Sequence, residues 1–113
     1  MAAVDDDMTD VDGQVNDALK ALANPIRRQV LGWLRDPRAN FPVERGIADP
    51  DEYGVCVSQI QEKTGLAQST VSAYMASLER ADLVISARVG KWTHYRRNEE
   101  RIARLLEALD RTL

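Results

Sequence analysis

GLAQSTVSAYMASLERADLV, residues 65–84, decides the fold, because it joins a glycine turn, one short helix and the start of a strand. Val71, Met75 and Leu78 recur with helical spacing and predict the inner face of a helix over residues 68–81. The outer face is small and uncharged, with Thr70 and Ser77 at its edges: Ser69, Ser72, Ala73 and Ala76. Serine and threonine are mediocre helix formers. We therefore expect a helix that fits closely against base edges and phosphates in a DNA groove, the alternative being an ordinary surface helix.

Another short helix is predicted immediately before the glycine turn. Ser58 and Gln61 fit the capping-box pattern at its start, and Gly65 is a typical helix stop. The apolar run Val55-Cys56-Val57 predicts a minimal strand ahead of it. Two short helices joined around Gly65-Leu66-Ala67 indicate a helix-turn-helix.

A hairpin is predicted after the helix-turn-helix. Residues 83–88 and 92–97 are β-prone runs on either side of Val89-Gly90. Arg88 and Lys91 fall at its tip, where they are placed to reach phosphate, and Arg96 and Arg97 close its second arm. A basic hairpin directly after a helix-turn-helix makes the motif winged. The predicted fold class is therefore mainly α with a small β-hairpin, a winged helix-turn-helix.

Further helices flank this motif. One is predicted over residues 12–23, and a second begins at Pro25 with Asn24 as its N-cap and ends before Pro37. Residues 37–54 predict a long loop. A last helix begins after Asn98.

The first and last helices carry apolar stripes that one small core cannot bury together. We predict that these stripes pair with those of a second copy in a two-fold homodimer, which would read an inverted repeat in double-stranded DNA. The predicted dimer interface consists of Val15, Leu19, Leu22, Ile102, Leu105, Leu106 and Leu109.

Length, charge and cysteine content limit the class of protein. The 113 residues fit one domain with a net charge of −3, and five of the acids (Asp5, Asp6, Asp7, Asp10, Asp12) lie in the first dozen residues. Without them, 13 acidic residues face 15 basic ones, so we predict a disordered acidic tail over residues 1–11 and a domain over residues 12–113. The sequence shows no membrane span or secretory signal, and one cysteine suits a reducing cytoplasm.

The layout resembles the ArsR-type (arsenic-repressor) family of bacterial winged-helix transcription repressors over about residues 15–110. The matching stretches are Ala23-Asn24-Pro25-Ile26-Arg27, GLAQSTVS at 65–72, LERADLV at 78–84 and GKWTHYRRNEERI at 90–102. The resemblance implies that the start of the helix over residues 68–81 reads the major groove through Gln68, Ser69, Thr70, Ser72, Ala73 and Tyr74. Gln68 is the candidate for a bidentate contact with adenine. Ala73 and Tyr74 stand where the family often has histidine, and Ala67 stands at the usual serine or threonine N-cap, so the operator should differ from those of relatives.

Metal sensing is not expected. The family's commonest site is a Cys-Val-Cys string, which here reads Cys56-Val57-Ser58, and a serine hydroxyl is a poor ligand for a soft metal. The final helix has carboxylates but no imidazole, and His94, the one histidine, is predicted near phosphate or packed on Trp92. We therefore predict no metal site and no cofactor.

Other forms of regulation stay open. Cys56 is interpreted as a buried core residue, with a thiol switch as the alternative. An unidentified small-molecule inducer would fit between Trp33 and the loop over residues 37–54.

The sequence bears on three functional classes. The predicted function is a sequence-specific DNA-binding transcriptional repressor, a homodimer acting through the helix over residues 68–81 and the wing over residues 83–97. The alternative is a winged-helix module that binds only proteins. An enzyme is not expected, because Cys56 and His94 have no evident third partner and no glycine-rich phosphate loop is present.

Overall fold

The computed structural model describes residues 6–42 and 46–113, with side chains described from Gly13 onward. Helices α1 (Asp6–Leu22), α2 (Pro25–Leu34) and α3 (Pro37–Asn40) precede strand β1 (Val55–Cys56). Helices α4 (Val57–Thr64) and α5 (Gln68–Arg80) follow, then strands β2 (Val84–Val89) and β3 (Trp92–Arg97) and helix α6 (Glu99–Thr112). This is the predicted mainly helical fold with a β-hairpin.

The N-terminal helix is longer than predicted. It begins at Asp6, not Asp12, so residues 6–11 of the predicted disordered tail are helical, and residues 1–5 lie outside the described part of the chain. The second helix begins where the sequence indicated. The side chain of Asn24 accepts hydrogen bonds from the backbone N–H groups of Ile26 (2.8 Å) and Arg27 (3.1 Å), and Pro25 occupies the first helical position.

The segment predicted as one loop over residues 37–54 contains the single helical turn α3. Asp36 caps that turn by accepting a hydrogen bond from the N–H of Ala39 at 3.3 Å, and Pro37 follows it. Prolines and the lack of a sustained period predict a loop here, but an acidic N-cap followed by proline is also how a helix starts.

The helix-turn-helix has the predicted turn but a different start. Gly65 ends α4 with φ of 71°, the left-handed conformation that glycine adopts without a steric penalty. The N-cap of α4 is Cys56, whose side chain makes no capping hydrogen bond, so the predicted capping box at Ser58 is wrong. Ser58 lies inside the first turn, because β1 ends one residue earlier than expected.

The three strands of the described chain form an antiparallel sheet in the order β1–β3–β2. Val89 pairs with Trp92, so the hairpin turn is Gly90-Lys91, one residue later than predicted, with φ of 62° at Gly90. Gly54 precedes β1 with φ of 91°, and a Cβ placed there would lie 2.1 Å from the carbonyl oxygen of Tyr95. Only glycine lets the backbone pass this close to β3.

The core lies between the helices and one face of the sheet. The inner residues of α5, Val71, Met75 and Leu78, are buried as predicted, together with Leu83 and Val84. Helix α6 begins at the predicted cap, where the side chain of Asn98 accepts a hydrogen bond from the N–H of Arg101 at 3.2 Å. The inner face of α5 and the start of β2 thus share one core, and the outer face of α5 is directed to solvent.

Candidate nucleic-acid interface

The outer face of α5 presents short polar and apolar side chains to solvent. Ser69, Ser72 and Ala73 are exposed, as is Gln68 at the first position of the helix, while Thr70 is half-buried at the edge of that face. No side chain longer than glutamine projects from the first two turns of this face. The helix backbone can therefore approach another surface closely, and its hydroxyl and amide groups can hydrogen-bond there.

The first turn of α5 has free backbone donors. Ala67 is the N-cap and offers no side-chain acceptor, so the N–H groups of Gln68, Ser69 and Thr70 have no capping partner from that residue. Such groups carry the positive end of the helix dipole and bind anions such as phosphate. The alanine that departs from the usual cap thus leaves the helix start open to an external acceptor.

Tyr74 does not lie with the other residues predicted to contact bases. Its ring is half-buried on the side of α5 that faces α2, and the guanidinium of Arg27 lies 5.4 Å from the ring centroid. Arg27 is itself fixed, because its Nε donates to the carbonyl oxygen of Ala21 at 2.6 Å. Tyr74 is therefore a packing residue between helices. Arg27 could not be identified as its partner from the sequence, because contacts between helices carry no local sequence signal.

The tip of the hairpin carries two exposed cations. Arg88 pairs with Thr93 one step from the turn, and Lys91 occupies the turn itself. The ammonium group of Lys91 lies 5.8 Å from the centroid of the Trp92 ring, which is itself partly exposed. The predicted pair at the tip is therefore brought together by the structure.

The other two predicted wing cations lie elsewhere. Arg96 pairs with Ile85 near the base of the hairpin and faces away from Arg88, because the two residues occupy opposite faces of the sheet. Arg97 is held by Glu99, with Nε to Oε2 and Nη2 to Oε1 both at 2.9 Å, and its Nη1 donates to the carbonyl oxygen of Leu31 at 3.4 Å. The structure therefore removes Arg97 from the set of cations available to phosphate.

Two ionisable groups beside the hairpin have shifted pKa values. Hydrogen bonding to Arg97 lowers the pKa of the Glu99 carboxyl, and the charge of Arg97 acts in the same direction against partial desolvation. Burial raises the pKa of the Tyr95 hydroxyl, with a smaller contribution from the negative charge of Glu79. Glu79 also accepts a hydrogen bond from Ser86, which ties the end of α5 to β2.

The first and last helices pack against each other and leave apolar side chains uncovered. Leu19 of α1 is 43% exposed and Leu106 of α6 is 61% exposed. Four other predicted interface residues are half-buried: Val15, Leu22, Ile102 and Leu109. The exception is Leu105, which is 3% exposed and belongs to the core of the single chain. The prediction was wrong for Leu105 because helical spacing does not separate two adjoining apolar faces.

Cys56 and His94 are both buried, and the structure places them side by side. They are direct partners in the register of β1 and β3, so the prediction that His94 lies near phosphate is wrong. No group of three or more histidine, cysteine, aspartate or glutamate side chains suited to a metal ion occurs in residues 13–42 and 46–113. Trp33, proposed as part of an inducer pocket, is covered by the edge of Phe41 and by the ammonium group of Lys63, 4.8 Å from its centroid.

Comparison with known proteins identifies the family. Residues 55–86 match the family described as "Bacterial regulatory protein, arsR family". The "Uncharacterized HTH-type transcriptional regulator YbzH" of Bacillus subtilis is 45% identical over 93 residues, which cover 82% of this chain and 92% of that protein. The "Putative arsenical resistance operon repressor ArsR2" of Halobacterium salinarum is 35% identical over 107 residues, covering 95% of this chain and 75% of that protein.

A solved structure supports the same assignment. The homodimeric winged helix-turn-helix DNA-binding domain Mb0332 of Mycobacterium bovis, a possible ArsR-family transcriptional regulator, superimposes with a TM-score of 0.67 and 29% identity. The match covers 97% of this chain and 87% of that one. In the described part of the chain, no helix is both long and apolar enough to cross a bilayer. The family and these relatives are transcriptional regulators, not enzymes, and the chain belongs to the ArsR family of winged helix-turn-helix transcriptional regulators.

Proposed function

We propose that the protein is a homodimeric transcriptional repressor that binds an inverted-repeat operator through α5 and the wing. The observation that carries this proposal is the exposed outer face of α5, formed by Ser69, Ser72 and Ala73 with Gln68 at its start. A helix in the major groove needs short side chains where its backbone approaches the bases and a few hydrogen-bonding groups that can reach base edges. Gln68 is the proposed bidentate contact to adenine.

Phosphate contacts are proposed at two places. The uncapped first turn of α5 offers backbone N–H groups to one phosphate, and Arg88 and Lys91 at the wing tip reach the backbone beside the same groove. These contacts set the position of α5 in the groove without reading the sequence. Arg97 has no part in them, because its guanidinium is engaged by Glu99.

The dimer is proposed to form through the exposed apolar side chains of α1 and α6, with Leu19 and Leu106 at its centre. Large apolar side chains that are half exposed in a single chain are covered when the same faces meet across a two-fold axis. Such a dimer carries two copies of α5 and reads two half-sites about 34–36 Å apart. The relative from Mycobacterium bovis is homodimeric, which supports a homodimer here.

Repression is proposed from the name of the Halobacterium salinarum relative, a putative operon repressor. A bound dimer on an operator that overlaps a promoter excludes the polymerase. We propose that the segment from the start of α1 at Asp6 to the end of α6 forms the functional domain, in place of the predicted residues 12–113, and that it acts in the cytoplasm where its DNA is found.

The proposal is tested by fluorescence anisotropy of the purified full chain with labelled DNA from upstream of its own gene, over a series of salt concentrations. We expect binding to an inverted repeat whose logarithm falls steeply with the logarithm of salt, by about 0.9 for each phosphate contacted. Added zinc should leave the affinity unchanged. Weak binding that does not depend on salt or sequence would contradict the proposal and favour a protein-interaction module.

A further inference from the structure

A buried thiol and a buried imidazole face each other across two strands of the sheet. Cys56 in β1 and His94 in β3 are direct register partners, so their side chains project from the same face. Cys56 is 2% exposed and His94 is 1% exposed. A free thiol and the chain's one histidine thus share a site from which bulk solvent is excluded.

The imidazole of His94 is held by one weak contact and has one nitrogen unused. Its Nδ1 lies 3.4 Å from the carbonyl oxygen of Trp92, while Nε2 has no hydrogen-bond partner among the described residues. A buried polar atom without a partner costs about 1–3 kcal/mol, so such atoms call for an explanation. The unpaired Nε2 is available to hydrogen-bond a small molecule that enters the site.

A small cavity adjoins both side chains. Its volume is about 10 Å³. It is lined by Cys56, His94 and Gln59 from the sheet and α4, and by Ile47, Ala48 and Pro50 from the segment between α3 and β1. This volume holds one water-sized molecule. The hydroxyl of Ser58 donates a hydrogen bond to Sγ of Cys56 at 3.2 Å.

We propose that this cavity is a site at which hydrogen peroxide oxidises Cys56 with His94 as proton carrier. The peroxide molecule bridges the thiol and Nε2, and the thiol proton passes to the imidazole. The thiolate sulfur then attacks one peroxide oxygen, an S–O bond forms and the O–O bond breaks. The leaving hydroxide takes the proton back from Nε2 as water, so the thiol and peroxide become sulfenic acid and water.

The size and composition of the cavity select this ligand. Hydrogen peroxide is the smallest hydroperoxide and, like water, both donates and accepts hydrogen bonds, so it suits a cavity of about 10 Å³ better than a bulkier organic hydroperoxide does. A metal ion is disfavoured because two ligands from this pair do not complete a site, and no group of three ligands is present in the described residues. The sulfenic acid has no second cysteine in its own chain with which to form a disulfide.

Oxidation should reach the DNA-binding surface through β3. His94 is two residues from Trp92, which starts the wing strand beside Lys91. The sulfenic acid places a new polar group against the imidazole of His94, and a change in that contact is passed along β3. This consequence rests on the proposed function, whereas the oxidation itself does not.

The test compares the oxidation rate of the same thiol in the folded full chain and in the chain unfolded by urea. Hydrogen peroxide is added at the same pH to both samples, and the sulfenic acid is trapped with dimedone in denaturant. Peptide mass spectrometry then assigns the adduct to Cys56 and distinguishes it from oxidised methionine. We expect the folded chain to react at least about tenfold faster than the unfolded chain. Slower reaction in the folded chain is the behaviour of a merely buried thiol and would overturn the proposal.

Three further measurements test the imidazole, the size of the cavity and the link to the wing. His94→Gln, if it unfolds at a similar temperature to the wild type, should react no faster than the unfolded wild type, and an unchanged rate would overturn the role of the imidazole. Cumene hydroperoxide should react with the folded chain at least about tenfold more slowly than with the unfolded chain, because the cavity excludes it. Loss of operator affinity on oxidation, absent in Cys56→Ser, tests the link to the wing separately from the chemistry.

Discussion

Arg97 and Glu99 form a bidentate ion pair at the base of the hairpin, with two N–O distances of 2.9 Å. The pair links the last residue of β3 to the first residue of α6, at the end of the hairpin opposite the wing tip. Sequence patterning places four cations in the wing, and this contact divides Arg97, held at the base of the hairpin, from Arg88 and Lys91 at its tip.

The first prediction compares Arg88→Ala with Arg97→Ala. Arg88→Ala should weaken binding to all DNA sequences similarly and reduce the salt slope by about one for each copy of the chain. Arg97→Ala should lower the unfolding temperature and leave the salt slope unchanged. Anisotropy over a salt series, together with thermal unfolding, measures both quantities. A reduced slope in Arg97→Ala would contradict the division.

The second prediction concerns the dimer. Leu106→Glu places a carboxylate on the exposed apolar face of α6, and two-fold symmetry doubles the effect. We expect the dimer dissociation constant to rise about 100-fold or more, because burying an unpaired charge costs several kcal/mol. Sedimentation velocity measures it. The control is Gln29→Glu, which adds the same charge on exposed α2 and should leave the dimer intact.

The third prediction follows from the lowered pKa of Glu99. A carboxyl whose pKa is lower in the folded state stabilises that state above its unfolded pKa, about 4.3, and this stabilisation is lost as the pH falls through the folded pKa. Glu99→Gln should therefore be less stable than the wild type at neutral pH, by less than about 1 kcal/mol because the carboxylate is mostly exposed.

Urea unfolding across pH values measures this difference, which should vanish in acid. Glu100→Gln, whose partner Arg104 is 3.6 Å away, should show a smaller difference at neutral pH. A difference for Glu99→Gln that grows toward acid pH is the contrary result.

The fourth prediction contrasts two glycines. Gly54→Ala should destabilise the fold by about 1–3 kcal/mol or more, because φ is 91° and the new Cβ would lie 2.1 Å from a backbone oxygen of β3. Gly32→Ala, in α2 with no atom within 4 Å of the new Cβ, should instead stabilise the fold by about 0.5–1 kcal/mol. Equal effects of the two substitutions in urea unfolding would show that the close approach at Gly54 is unimportant.

Local patterns predicted most of the fold. Asn24, Gly65 and Asn98 mark helix ends through contacts within a few residues, so their positions can be read from the sequence. The burial of Leu105 and the pairing of Cys56 with His94 depend on how distant elements pack. A helical repeat shows that residues share a face but does not show what covers that face.

The candidate interface also contains residues that local spacing predicts and residues that depend on distant contacts. The exposed residues of α5 follow from helical spacing, since the inner face is marked by Val71, Met75 and Leu78. Tyr74 could not be separated from them, because its partner Arg27 is 47 positions away in the chain. The Arg97–Glu99 pair does have a local sequence signal, because opposite charges two residues apart at the end of a strand can form an ion pair.

The most direct measurement of the central claim is the operator affinity of Ser72→Glu by anisotropy, beside Gln29→Glu as a variant of equal charge. If the outer face of α5 enters the groove, Ser72→Glu should bind the operator no better than unrelated DNA while its unfolding temperature and dimer stay unchanged. Gln29→Glu should bind as the wild type does. Wild-type operator affinity in a folded Ser72→Glu dimer would contradict the account.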